Sequence, residues 1–247
     1  MGRRLAAVAA VALVAAWSAA SAQTQSPRLT IFAASSLTDA FRAFDSKQRY
    51  SFGSSSTLEA QIENGAPADV YASASPVNTR RLFREGLVEK PVTFTANRLA
   101  LIVPKANPAG IRSVADLRRK PVKLVIAGEA VPVGAYTRIV LKRMGLLSVL
   151  AKVVSQEPDV RAVTGKVALG QAEAGFVYVT DAQSVRDRVI VIDIPAWAQP
   201  RVRYEIAVVS ESSRKAAARA WIKGILSPRG QATLRKHGFQ PLHGAKS

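Results

Sequence analysis

The sequence contains no cysteine, and its two histidines, His237 and His243, both lie near the C-terminal end of its 247 residues. Without cysteine the chain has no disulfide, no thiolate metal site and no cysteine nucleophile, so its stability must come from packing. The positions of the histidines argue against a zinc site and against a Ser-His-Asp triad. A binding protein is therefore favoured over an enzyme.

Acidic residues are also scarce: 17 Asp and Glu stand against 35 Lys and Arg, a formal net charge of +18. The charge is +16 without residues 1–22, which contain two arginines and no acidic residue. This excess suits an anionic ligand or surface, although a generally solvated basic surface is the favoured explanation. Nucleic acid is not predicted as a partner, because the basic residues are spread along the chain and no helix-turn-helix or zinc-finger pattern occurs.

The only long apolar run is at the N-terminus, where Arg3 and Arg4 precede residues 5–17 and Ala-Ser-Ala follows at 20–22. This pattern predicts a secretory signal peptide over residues 1–22. A membrane anchor is disfavoured, because the run is shorter than the roughly 20 residues that a span needs. We therefore expect a periplasmic or otherwise extracytoplasmic protein that starts near Gln23 and forms one large or two small domains.

The mature chain contains a recurring unit of a short apolar strand, a polar turn and a helix. Two of the turns are rich in serine. Ser36 with Asp39, and Ser56 with Glu59, are spaced as in capping boxes, which would leave Ser55 outside its helix with hydroxyl and amide free. The alternation of strands and helices predicts an α/β fold with mainly parallel sheets flanked by helices.

Two more helix starts and a tyrosine stand out in the second half of the chain. Val133 lies between a proline and a glycine, which lets the backbone approach a ligand closely, although an ordinary proline-initiated helix explains the pattern as well. Val160 opens the next helix after a Pro-Asp pair. Tyr178 ends a buried strand, where its hydroxyl needs either a partner in the core or a ligand.

Turns that follow strands gather at the carboxyl ends of an α/β sheet, where ligands bind. Helix starts at such turns present unsatisfied N–H donors and a partial positive charge, which suit an anion. The turns carry mostly neutral donors, with Arg161 beside Val160, and the carboxylates nearby are Glu129 and Asp159. We therefore predict a small, fully deprotonated tetrahedral dianion as the ligand.

Several longer segments resemble the periplasmic molybdate-binding proteins of ABC importers: FAASSLTDAF at 32–41, FGSSSTLEAQIENGAPADVYASA at 52–74, VPVGAYT at 131–137, EPDVRAV at 157–163, AGFVYVTDA at 174–182 and KHGFQP at 236–241. The resemblance covers nearly the whole mature chain. It implies a two-lobed, type II periplasmic-binding-protein fold with two hinge crossings. Lobe 1 would comprise residues 23–104 and 206–247, and lobe 2 residues 105–205.

The resemblance also implies which residues hold the ligand. These are Ser36 of the A-S-L turn, Ser55 in the middle of the S-S-S turn, Val133 of V-P-x-G, Val160 of D-V-R, and Tyr178 of V-Y-x-[ST]-D-A. Both valines would bind through their amides. Val133 replaces the alanine that is common in the family, which is expected to narrow the cleft without changing the donor. The resemblance implies no cofactor and no direct cation ligand, since the metal arrives as its oxyanion.

The expected function is thus a non-enzymatic, monomeric solute-binding protein that delivers molybdate or tungstate to the permease of an ABC importer. A binding protein for another tetrahedral oxyanion, such as sulfate, is the nearest alternative. The effector-sensing domain of a transcription regulator has a similar fold, but it needs a DNA-binding segment where the signal peptide lies. An exported hydrolase is disfavoured by the missing cysteines and the positions of the histidines.

Overall fold

The computed structural model describes residues 28–242, so the predicted signal peptide lies outside the described residues. Ten strands occur in this part of the chain: β1 (Thr30–Ala34), β2 (Arg49–Gly53), β3 (Val70–Ser73), β4 (Val92–Asn97), β5 (Leu99–Pro104), β6 (Leu124–Ala127), β7 (Val153–Glu157), β8 (Ala174–Tyr178), β9 (Val189–Asp193) and β10 (Val202–Val208).

The α-helices of the same residues are α1 (Thr38–Phe44), α2 (Ser55–Glu63), α3 (Pro76–Arg84), α4 (Asp116–Arg119), α5 (Pro132–Arg143), α6 (Val160–Ala168), α7 (Val179–Ser184), α8 (Lys215–Leu226) and α9 (Pro228–Lys236). Short 3-10 helices cover Ser35–Leu37, Leu147–Lys152 and Ala196–Ala198. No helix among residues 28–242 has the length and apolar character needed to cross a membrane.

The strands form two five-stranded sheets, which confirms the predicted two-lobed α/β fold. The strand orders are β2-β1-β3-β10-β4 and β7-β6-β8-β5-β9. In the first sheet β1 is parallel to β2 and β3, whereas β10 is antiparallel to β3 and β4. The second sheet repeats this pattern, with β6 parallel to β7 and β8, and β5 antiparallel to β8 and β9.

Four of the five strands in each sheet run in the same direction, because β4 and β9 are antiparallel to the reversed strands β10 and β5, so the prediction of mainly parallel sheets is confirmed. The exceptions are β5 and β10, the strands by which the chain enters each sheet from the other one. Strands joined by a helical crossover within one sheet run parallel. A strand that arrives from the other sheet is free of that constraint.

The two sheets also place the crossings differently from the sequence-based division of the chain. Strand β5, residues 99–104, was assigned to lobe 1, but it pairs with β8 and β9 of the second sheet. The chain therefore leaves the first sheet at Arg98 and returns to it at Val202. An entirely apolar strand such as β5 indicates burial on both faces, but its composition carries no information about which sheet it joins.

The parallel strands bring the predicted turns to the sheet edges. The turns after β1 and β2 belong to neighbouring strands of the first sheet, and those after β6, β7 and β8 to neighbouring strands of the second. In the second sheet, helix α6 packs directly on strand β8. A Cβ on Gly175 of β8 would lie only 2.8 Å from Val163 and 2.9 Å from Val167 of α6. This contact holds Val160, the first residue of α6, near the end of β8.

Candidate functional site

All five predicted ligand residues line one cavity between the two sheets. The cavity is small, and the centre of a water-sized probe can occupy only about 10 Å³ of it. Ser36 and Ser55 reach it from the first lobe, and Val133, Val160 and Tyr178 from the second. The other residues that line it are small, apolar or hydroxyl-bearing: Ala34, Ser35, Gly53, Ser54, Ala74, Val131 and Pro132. None of these lining residues is charged.

Ser36 lies in the short 3-10 helix between β1 and α1, and it does not cap α1 as the sequence had suggested. The N-cap position of α1 is Leu37, which makes no side-chain capping bond. The Ser36 hydroxyl is instead 2.8 Å from the Tyr204 hydroxyl of β10. Asp39, the other half of the expected capping box, pairs with Arg161. Both side chains are thus used in tertiary contacts, which local spacing does not reveal.

The expected capping box of Ser56 and Glu59 is also wrong, because α2 begins two residues earlier than an N-cap at Ser56 implies. Ser54 is the N-cap, and its Oγ accepts a hydrogen bond from the Thr57 amide at 3.1 Å. Ser55 is the first residue of α2, so its amide has no partner within the helix. The Ser55 Oγ accepts a hydrogen bond from the Ala74 amide at 3.0 Å, which leaves the hydroxyl proton available.

Helix starts supply the two amide donors of the second lobe. Val160 is the first residue of α6, whose N-cap Asp159 accepts from the amides of Arg161 and Ala162 and so leaves the Val160 amide without a partner in the cap. Val133 is the second residue of α5, and no side chain caps this helix. The first four amides of a helix have no acceptor within it. Both valine amides are therefore free to bind an anion.

Tyr178 ends β8 and is 1% exposed. Among the described residues its hydroxyl has no hydrogen-bond partner. Burial raises the pKa of Tyr178 well above its usual value, and the nearby Tyr204 adds to the effect, so the group stays a neutral donor. A buried hydroxyl without a partner is uncommon and calls for an explanation. A ligand in the cavity that it lines provides one.

The two lobes are joined beside this cavity by Arg161, the second residue of α6. Its Nε donates to the Ser35 carbonyl at 3.1 Å, and its guanidinium pairs with the Asp39 carboxylate. The positive charge next to Val160 is thereby paired with an acid of the first lobe. Nearby, burial raises the pKa of Asp181 to about 7, with Arg161 opposing the shift and Asp159 favouring it.

Asn97 and Tyr204 contact this site and were not identified from the sequence. Tyr204 bonds to Ser36, and the Asn97 Nδ2 lies 3.4 Å from the Tyr204 hydroxyl and 3.0 Å from Thr180 Oγ1. A signal was present for Tyr204, since it lies within a strand candidate, and a tyrosine buried there needs a partner for its hydroxyl, as Tyr178 does. Nothing in the local sequence distinguishes Asn97, because its partners are more than 80 residues away along the chain.

The model of the bacterial extracellular solute-binding protein family matches residues 29–240. The chain belongs to this family. A relative, the molybdate-binding protein ModA of Mycobacterium tuberculosis, is 34% identical over 227 residues, which cover 87% of this chain and 86% of the relative. Members of this family bind and present solutes outside the cytoplasm, and the chain is accordingly an extracytoplasmic solute-binding protein.

Two solved structures have the same fold. The periplasmic molybdate-binding protein of Azotobacter vinelandii superposes with a TM-score of 0.77 at 20% identity, over 87% of this chain and all of the other. The sulfate-binding protein SubI of Mycobacterium tuberculosis gives a TM-score of 0.74 at 19% identity, over 88% of each chain. At these identities the likeness concerns the fold alone, so the choice of ligand rests on the cavity.

Proposed function

We propose that this protein captures molybdate or tungstate in the cavity between its lobes and delivers it to the permease of an ABC importer. The main support is the convergence of neutral donors from Ser36, Ser55, Val133, Val160 and Tyr178 on one cavity whose lining carries no charge. The relatives named molybdate-binding protein ModA point to the same ligand class.

The cavity is small. The centre of a water-sized probe can occupy only about 10 Å³ of it, roughly the space of one water molecule, so a sugar phosphate or a nucleotide would require a much wider opening. Of the anionic ligands considered, a compact inorganic anion requires the least widening of the cavity.

The chemistry of the lining favours an anion without a proton. Two amides can only donate, and Ser55 already accepts a hydrogen bond from Ala74. Hydrogen bonds to a charged partner contribute roughly 1.5 to 3 kcal/mol each. Five of them contribute roughly 7.5 to 15 kcal/mol. The upper part of this range covers the ~8 kcal/mol of micromolar binding and part of the cost of association.

Calorimetry of the mature protein with molybdate, tungstate, sulfate and phosphate tests the proposal. We expect molybdate and tungstate to bind in the micromolar range or tighter, and sulfate to bind more weakly, because a smaller tetrahedron leaves some of the hydrogen bonds long. Sulfate is the second candidate because its binding protein SubI has the same fold. Sulfate binding as tight as molybdate binding would overturn the assignment.

A pair of neighbouring serines tests the site itself. Ser55→Ala should weaken molybdate binding by about 1 to 3 kcal/mol, because it removes a donor to a charged ligand. Ser56→Ala is the matched control, since Ser56 lies beside Ser55 without lining the cavity and bonds to Ser54. Ser36→Ala should act like Ser55→Ala. Equal affinities for Ser55→Ala and Ser56→Ala would remove this turn from the site.

The proposal also includes export through the segment at residues 1–22, a monomeric mature chain, and closure of two lobes about the crossings at Arg98 and at residues 199–201. The N-terminal sequence of the protein recovered from the periplasmic fraction checks the first of these. A mature start near Gln23 would support it, and a protein that retains residue 1 would contradict it.

A further inference from the structure

Asn97 is buried at the crossing between the sheets, and each of its polar atoms has a partner. It is 3% exposed. Its Oδ1 accepts a hydrogen bond from the Arg98 amide at 2.9 Å, which fixes the orientation of the side-chain amide. Its Nδ2 then donates one proton to Thr180 Oγ1 at 3.0 Å and the other to the Tyr204 hydroxyl at 3.4 Å. An amide nitrogen cannot accept, so the direction of both bonds is determined.

The direction of the Asn97–Tyr204 hydrogen bond determines that of the next one, between Tyr204 and Ser36. The geometry allows either hydroxyl of the Ser36–Tyr204 pair to donate across its 2.8 Å. The phenol has a single proton, and of its two partners among the described residues only Ser36 can accept it, because the Asn97 Nδ2 cannot. Donation from Tyr204 to Ser36 is therefore the arrangement that satisfies the phenol proton. Tyr204 is fully buried and its ring packs edge-on against Tyr178, Phe94 and Phe239, so its hydroxyl is held in place.

Ser36 therefore accepts a hydrogen bond from Tyr204, and its own proton is left to point into the cavity that it lines. We infer that Asn97 and Tyr204 are positioning residues that make Ser36 a donor to the bound oxyanion and thereby select against oxyanions that carry a proton. This inference rests on the proposed function, because it deepens the account of the same site.

The expected consequence is that the site prefers sulfate over phosphate, a preference that the size of the anions cannot explain. Sulfate and phosphate are both tetrahedral and of similar size, but at about pH 8 phosphate is a dianion that keeps one proton. That proton needs an acceptor. Ser36 accepts from Tyr204 and Ser55 from the Ala74 amide, which leaves the proton of each serine for the ligand. Each serine oxygen has a second lone pair, but to accept from phosphate with it the serine would have to turn its own proton away from the ligand. Phosphate would therefore either leave a donor facing a donor or lose a donor, and both cost affinity.

Tyr204→Phe tests this role, because it removes one hydroxyl from a buried ring without changing its shape. The measurement is calorimetric displacement of molybdate by sulfate and by phosphate at about pH 8. We expect molybdate and sulfate to bind about threefold to tenfold more weakly, as for one lost orienting hydrogen bond. Phosphate should bind as well as before or better, since Ser36 can now rotate and accept its proton. The ratio of sulfate to phosphate affinity should fall at least threefold.

Tyr71→Phe is the matched control. Tyr71 is also a fully buried tyrosine beside a serine of the site, but its hydroxyl donates to the Ser55 carbonyl at 2.7 Å and does not engage the Ser55 hydroxyl. Its loss should leave the sulfate-to-phosphate ratio unchanged. A purely structural role for Tyr204 would weaken both anions equally, and an unchanged ratio in Tyr204→Phe would overturn the inference.

Asn97→Ala is a second variant that tests the same role, and it can be used even if Tyr204→Phe does not fold. Without the Asn97 amide the Tyr204 proton is no longer directed at Ser36, so the ratio should again fall, by less than in Tyr204→Phe. Thermal unfolding establishes that each variant is folded. Failure of the unmodified protein to bind molybdate would refute the proposed function, whereas normal binding with unchanged ratios in both variants would refute the positioning role alone.

Discussion

Three of the predicted ligand residues bear a hydroxyl group, and they differ in how they are bonded before a ligand arrives. Ser36 and Ser55 each have a hydrogen-bond partner in the protein, whereas Tyr178 has none among residues 28–242. The two serines are oriented in advance, so binding uses them at little conformational cost. Tyr178 carries the desolvation penalty of an unsatisfied buried group, which a ligand would relieve.

This difference predicts opposite effects of Tyr178→Phe on stability and on binding. Without ligand, removal of the unpartnered hydroxyl should raise the free energy of unfolding by about 1 kcal/mol, because a buried unsatisfied group is lost. Molybdate affinity should fall by about 1.5 to 3 kcal/mol, because a donor to a charged ligand is lost. Urea unfolding and calorimetry measure the two quantities.

Tyr71→Phe again provides the comparison, now for stability. Because the Tyr71 hydroxyl is satisfied by the Ser55 carbonyl, its removal should destabilise the protein. If Tyr178→Phe destabilised the ligand-free protein as much as Tyr71→Phe does, the Tyr178 hydroxyl would have to be bonded in solution.

The buried Asp181 predicts a pH dependence of stability. Burial raises its pKa from 3.8 to about 7, so the folded state holds the proton more tightly than the unfolded state between these values. Its contribution to stability is therefore complete below the unfolded pKa and is lost as the pH rises towards 7. Asp181→Asn cannot ionise, so its advantage over the unmodified protein should grow by at most about 1.4 kcal/mol per pH unit across this window.

Urea unfolding of both proteins between about pH 4 and about pH 8 measures this difference, and the other titrating groups cancel in the comparison. Above about pH 7 the two curves should run parallel. A difference that stayed constant over the whole range would mean that Asp181 titrates in the folded protein as it does in the unfolded chain.

At the scale of elements, the start of α5 requires a glycine at position 134, because the backbone of residues 127 and 128 passes very close to it. A Cβ on Gly134 would lie 2.1 Å from the Gly128 carbonyl and 2.4 Å from the Ala127 carbonyl. Gly134→Ala should therefore displace the first turn of α5 and the Val133 amide with it, destabilising the protein by about 1 to 3 kcal/mol or more. Molybdate affinity should fall as well.

Gly165→Ala is the corresponding control in α6, where a Cβ would meet no atom within 4 Å. In the interior of a helix this change should be neutral or should stabilise by up to about 1 kcal/mol, with molybdate affinity preserved. Thermal unfolding and calorimetry distinguish the two variants. Equal behaviour of Gly134→Ala and Gly165→Ala would show that the close approach at Gly134 is relieved at no cost.

The helix starts also show how far local sequence reasoning reaches. The strand-turn-helix units and the serine turns could be predicted, because apolar periodicity and hydroxyl clusters are local signals. Which serine caps a helix could not: Ser54 rather than Ser56 caps α2, and Ser36 caps nothing. That choice depends on Tyr204 and Ala74, which approach Ser36 and Ser55 only after the chain has folded.

At the scale of the whole molecule, the sequence predicted two lobes but not the strands that enter each sheet from the other lobe. The chain crosses from the first lobe to the second before β5 and returns to the first before β10. These two crossings join two sheets whose parallel strands end at a common cavity. The Arg161 contacts with Ser35 and Asp39 connect the lobes at the same place. An interlobe ion pair requires the assembled molecule, and the local spacing of Asp39 suggested a helix cap instead.

The net charge of the whole molecule predicts how fast the ligand arrives. The full sequence carries a net charge of +18, yet the cavity is lined by neutral groups. The basic surface therefore attracts the anion before it binds, and hydrogen bonds hold it once it is bound. Long-range attraction is screened over about 30 Å at 0.01 M salt and about 3 Å at 1 M. The association rate constant of molybdate should therefore fall by at least about threefold between about 0.01 and about 0.5 M sodium chloride.

The dissociation rate constant should change by less than about twofold, because short hydrogen bonds in a closed cavity are screened little. Stopped-flow tryptophan fluorescence measures both constants. A dissociation rate that rose with salt while association stayed constant would mean that charged side chains hold the bound anion, against the neutral lining of the cavity.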